Sequence, residues 1–103
     1  MRINTTQVLK NYEGKEILED DKPITLRDVF SIGLNSQLPD EKMTADQKAK
    51  IFQITTKLYT NNEVDLTVDQ LALIKEQVGK VYNPLVYGRV CEIIDGTQEV
   101  VDK

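Results

Sequence analysis

Three threonines constrain this chain more than anything else in it. Thr25, Thr44 and Thr67 each stand three residues ahead of a side chain that can reach back to them: Asp28, Gln47 and Gln70. In such a capping box the hydroxyl accepts from the amide three residues on. The answering side chain accepts in turn from the threonine's own amide, so two orphan donors of a helix start are satisfied together. Asp28 is a short partner for this role, although a carboxylate near a helix N-terminus is favoured by the macrodipole. Each cap opens an apolar run of helical period: Leu26, Val29, Phe30, Gly33 and Leu34; Ile51, Ile54 and Leu58, with Phe52 and Tyr59 flanking; and Leu71, Ile74, Val78 and Val81. A fourth start is Asn83-Pro84, Asn as cap and Pro at the first helical position, followed by Val86, Val90, Ile93 and Ile94. Helices are therefore expected over 26–35, 45–60, 68–81 and 84–95, with Gly96 as the residue that ends the last. Gly33 lies on a buried face, which calls for close approach of another element, since glycine otherwise costs a helix about 1 kcal/mol relative to alanine.

The N-terminal quarter reads as extended. Ile3, Val8, Leu9 and Tyr12 favour strand, and Glu13-Gly14 is a turn, so a hairpin of 8–12 against 15–18 is expected. Residues 19–23 read as a polar loop closed by Pro23. Val64 to Leu66 form a short extended piece leading straight into the Thr67 cap, and 23–25 are candidates to pair with 64–66 as a short antiparallel ladder. The fold class is α+β and mainly helical. One compact domain over 1–96 suits 103 residues, with 97–103 expected as a frayed tail.

Composition narrows function mostly by exclusion. The chain carries 17 acidic and 13 basic side chains, for a net charge of -4, and has no basic run. A nucleic-acid surface needs a basic stripe that releases phosphate counterions, so direct nucleic-acid binding is not expected. With no histidine and one cysteine, the chain lacks the ligands for a zinc or other transition-metal site and the parts for a Cys–His nucleophile. Cys91 sits between Val90 and Ile93-Ile94, a setting for packing. A calcium loop starting at Asn61 fails where Leu66 and Ala72 replace the required Gly and Glu. Starts at Asp20 or Asp40 fail at Lys22 or Lys42. The Glu19-Asp20-Asp21 run could hold Mg²⁺ only if another acid converged on it, and exposed charge runs are usually solvated surface. The five glycines are scattered, so no phosphate-cradling loop exists. No stretch resembles a signal peptide or reaches transmembrane length, so a cytoplasmic location is expected. No enzyme and no cofactor are expected.

What remains is recognition of another protein. Ile32 and Leu73 lie off the apolar stripes of their helices and are candidates for an exposed patch. Tyr82, Tyr87 and Arg89 form a second candidate group, because Tyr and Arg are enriched where interfaces concentrate their energy. The two tyrosines also suit a plainer role, covering the junction between the last two helices. An alternative is a regulatory or host-takeover factor presenting an acidic face to nucleic-acid-binding machinery.

The layout resembles small accessory proteins encoded by tailed bacteriophages and prophages. The resemblance rests on Tyr12-Glu13-Gly14-Lys15, Ile24-Thr25-Leu26-Arg27-Asp28, Val64-Asp65-Leu66-Thr67, Val78-Gly79-Lys80, Pro84-Leu85-Val86 and Gly88-Arg89. It implies an origin, and an assembly or adaptor role by association with such genomes. It transfers no site residues, because these motifs are structural.

Overall fold

The path of the N-terminus is decided by one buried pair, Ile3 and Val64. The computed structural model describes residues 2–36 and 42–98. In it, β1 (Arg2–Asn4) pairs antiparallel with β4 (Glu63–Asp65), Ile3 opposite Val64, and both side chains are buried. Thr5 completes the joint: its amide and its hydroxyl both donate to Asn62 O, at 2.9 and 3.1 Å. The expected pairing of 64–66 with 23–25 is thus corrected. An antiparallel ladder forms at 63–65, but its partner is the first strand, because the backbone of 22–25 is taken up by pairing with 18–19 and with Val8.

Residues 22–25 are engaged elsewhere. β2 (Leu18–Glu19) pairs with β3 (Lys22–Pro23), and between them Asp20 and Asp21 both take positive φ, 54° and 65°. Two left-handed residues joining two strands make a type I′ hairpin turn, which matches the twist of its strands. What reads as a polar loop at 19–23 is therefore a tight hairpin. Aspartate tolerates this region less well than glycine, so Asp21→Gly should raise stability by about 0.5–1 kcal/mol, seen as a higher thermal midpoint. The expected 8–12/15–18 hairpin forms around Gly14 (φ 82°) as a single bridge, Lys10 opposite Glu16. It does not run on as a ladder, because a third segment shares its backbone groups. Ile17 N donates to Leu9 O, Leu9 N to Ile24 O and Ile24 N to Ile17 O, each within 3.0 Å, closing a triangle.

The helices follow the caps. α1 (Leu26–Asn35), α2 (Ala45–Thr60) and α3 (Val68–Val81) start behind Thr25, Thr44 and Thr67, and all three capping boxes are complete. α4 (Pro84–Gln98) is capped by Asn83, whose Oδ1 accepts from Val86 N at 3.0 Å. It runs three residues past its expected end, so Gly96 lies inside the helix and 97–98 belong to its backbone; 99–103 fall outside the described residues.

Packing centres on α1 crossing α3, with α2 against α1, and α4 against α3. Phe30, Leu34, Ile74 and Val78 are fully buried at the crossing. Gly33 is where the two helices close up: a β-carbon there would stand 2.9 Å from Val78 Cγ2 and 3.3 Å from Val78 Cα. Among the described residues no helix is long and apolar enough to cross a membrane.

Candidate functional site

α2 is the least covered helix of the four. Of its 16 residues only Ile51, Ile54 and Leu58 are buried, and they form the stripe that meets α1 and β4. Two aromatic side chains stand on its other side. Phe52 is 71% exposed and Tyr59 57%. Seven residues apart, they share one helix face by the 3.6-residue period. Between them and the end of α1 runs a groove of about 520 Å³. Leu34, Met43 and Ile51 give it an apolar floor, and Lys48, Phe52 and Tyr59 stand along its rim.

The far end of this groove is held rigid. Arg27, in the first turn of α1, places its guanidinium 5.4 Å from the centroid of the Tyr59 ring. Its Nη2 donates to Asn62 Oδ1 at 3.1 Å and to Asn61 O at 3.3 Å, which ties the end of α2 to the start of α1. At the near end Asn35 Nδ2 donates to Thr55 Oγ1 at 3.0 Å. Both ends of α1 are thus fastened, one to the middle of α2 and one to the residues just after it, with an apolar trough alongside. Burial of one or more apolar side chains from outside is the chemistry this arrangement supports.

The residues singled out from sequence are dispersed. Ile32 is 44% exposed on α1. Leu73 is half-buried and lines a different cleft, about 370 Å³, between α2 and the start of α3, beside Gln47, Gln53 and Gln70. Tyr82 and Tyr87 cover the α3–α4 junction. Tyr82 is half-buried against the core, and the Tyr87 ring lies over Gly79, where a β-carbon would come within 3.0 Å of Cε1. Arg89 is engaged within the chain: Nε donates to Lys10 O at 2.8 Å, Nη2 to Asn11 O at 2.7 Å and Nη1 to Glu92 Oε1 at 3.0 Å. It pins the N-terminal turn to α4.

The α3–α4 surface also gathers ionisable groups. Lys75 Nζ meets Asp95 Oδ1 at 2.9 Å, and that hydrogen bond raises the Lys75 pKa. A hydrogen bond with the Cys91 side chain raises that of Tyr87. Burial pushes the Tyr82 phenol from 10.0 up to about 12, with Glu19 and Asp28 adding to the rise. The folded chain therefore holds a proton that the unfolded chain releases. This stabilisation is complete below about pH 10 and is lost as pH rises toward 12. Urea midpoints should fall across that window in the parent chain and fall less in Tyr82→Phe.

Among the described residues no three His, Cys, Asp or Glu side chains converge as a metal site would require. Asp20 and Asp21 are the two central residues of the β2–β3 turn. By helical period alone Phe52 and Tyr59 flank a buried stripe. The available signal was their shared face, turned away from Ile54. No protein-family model, curated protein or solved structure matches this chain.

Proposed function

We propose that this protein is a non-enzymatic binding protein whose docking surface is the α1–α2 groove and the exposed face of α2. The observation that carries the reading is the pair Phe52 and Tyr59, two large aromatics exposed beside an apolar floor. Aromatic side chains set next to a preformed apolar trough are the usual anchors of protein–protein contacts. Ile32 and Leu73 contribute smaller apolar areas outside the groove, whereas Tyr82, Tyr87 and Arg89 work mainly inside the fold. Taken with its resemblance to tailed-phage and prophage proteins, the chain fits an accessory or adaptor role in the host cytoplasm, exerted by contact with another polypeptide. Charge supports docking over acidic mimicry. Acids and bases are interleaved on the helix surfaces, as in Asp46–Lys50, Glu76–Lys80 and Arg89–Glu92.

A photocrosslinking amino acid placed at Phe52 tests the reading in cells that express the protein. Discrete protein adducts are expected from Phe52, and none of the same mass from Glu13, on the distant N-terminal turn. Adducts identical at both positions, or none at Phe52, would contradict it.

A further inference from the structure

The rim of the α1–α2 groove carries charge of one sign. Lys48 stands at one end, exposed, and has no hydrogen bond or ion pair among the described residues. Just beyond the other end, the Arg27 guanidinium over the Tyr59 ring donates only to uncharged oxygens of Asn61 and Asn62. On the remaining helix surfaces Lys50, Lys75, Lys80 and Arg89 each meet a carboxylate. Among the described residues no acid lines the groove, in a chain whose acids outnumber its bases 17 to 13. Lys48 and Tyr59 lie about 16 Å apart along the α2 axis, roughly three turns.

We propose that the occupant of this groove is an acidic amphipathic helix of another protein, its apolar stripe on the floor of Leu34, Met43 and Ile51 and its carboxylates at Lys48 and Arg27. The proposal rests on the reading of the groove as a docking surface and names the chemistry of its partner. The floor calls for apolar side chains, and Phe52 and Tyr59 offer them aromatic walls. The two cations without a counter-charge favour carboxylates beside that stripe. Screening acts over about 8 Å at physiological salt, so each cation is felt by its near neighbours and the net charge of -4 on the whole chain does not cancel it. The walls of the trough are helices whose backbone groups are bonded within them. An extended segment would find no ladder to join there, whereas a helix satisfies its own backbone and needs only side-chain contacts. Two cations are too few to hold a nucleic acid by its phosphates. A second copy of this face would bring further cations and no carboxylate.

A displayed library of random peptides of about 16 residues, enough for about 24 Å of helix, tests the proposal when selected on the parent chain. Enriched sequences should carry apolar residues at helical spacing flanked by Asp or Glu. Synthetic copies of them should bind Lys48→Glu about tenfold more weakly than the parent, because one attraction becomes a repulsion. Lys48 is exposed in the first turn of α2, where a glutamate suits the macrodipole, so this variant keeps its fold. Lys15→Glu makes the same charge change on the distant N-terminal turn and should bind as the parent does. Phe52→Glu should abolish binding. Enriched peptides that are neutral or basic overturn the proposal, as do acidic ones that Lys48→Glu binds as tightly as the parent. Sedimentation of the parent as a dimer that Phe52→Glu dissociates would give the face to a second copy and overturn it too. The docking reading is judged separately. Peptides without acidic bias that still require Phe52 remove only the partner's chemistry; a selection in which no peptide depends on Phe52 removes both.

Discussion

Ile74→Asp should leave this protein unfolded. Ile74 is fully buried on α3 beside the crossing with α1, and its apolar neighbours offer a carboxylate no partner. Burial of an unpaired charge costs more than a lost methyl group, because the residue must either ionise without solvent or be protonated at a large pKa shift. Added to the lost apolar contacts, the effect is on the order of 5 kcal/mol, as large as the whole stability of a small domain at the lower end of the usual range of about 5–15 kcal/mol. Far-ultraviolet circular dichroism at neutral pH should show loss of most helix. A variant that keeps its helix and melts cooperatively near the parent midpoint would mean that the α1–α3 crossing is not the core.

The second large effect is at Gly33. Leucine there should destabilise the domain by about 3 kcal/mol, the upper part of the usual range for overpacking, despite recovering about 1 kcal/mol of helix propensity. The reason is backbone proximity. Val78 Cγ2 could swing away from a new β-carbon, but Val78 Cα at 3.3 Å moves only if α3 moves. Gly88 supplies the contrast: it too is helical, and nothing lies within 4 Å of where its β-carbon would be. Gly88→Ala should stabilise by up to about 1 kcal/mol through propensity alone. Urea unfolding of both variants checks the pair, and equal effects at the two glycines would remove the close-approach argument.

The helices were legible because their instructions are local. A threonine and its partner three residues on mark a start, and the spacing of Leu26, Val29 and Phe30 marks a face; none of this depends on distant chain. The first capping box also shows that an aspartate at Asp28 serves where Glu or Gln is usual, its Oδ2 accepting from Thr25 N at 3.3 Å. Strand pairing was less legible, since it is decided through space. Residues 64–66 carry a β preference but no record of their partner, and Ile3 is as good a candidate by composition as Ile24. The turn at Asp20-Asp21 was hidden because two aspartates suggest solvation before they suggest left-handed backbone. The end of α4 was missed for a related reason: glycine ends a helix only when the chain turns there, and at Gly96 it continues.

The candidate surface was hidden for a physical reason. An aromatic beside an apolar stripe is core if another element covers it and surface if none does, and the α2 sequence is the same in both cases. Which one holds depends on how far α1 and β4 extend over α2. They reach Ile51, Ile54 and Leu58 but stop short of Phe52 and Tyr59. Arg89 stands out by residue type alone; its carbonyl partners, Lys10 and Asn11, lie at the other end of the sequence and leave no local mark.

The molecule divides into a core that folds it and an exposed α2 face. Urea unfolding of Phe52→Glu tests that division directly. Glutamate is the better helix former and Phe52 is 71% exposed, so the variant should unfold within about 0.5 kcal/mol of the parent. A loss of about 3 kcal/mol or more, the size expected for removing a buried aromatic, would place Phe52 in the core and contradict the account.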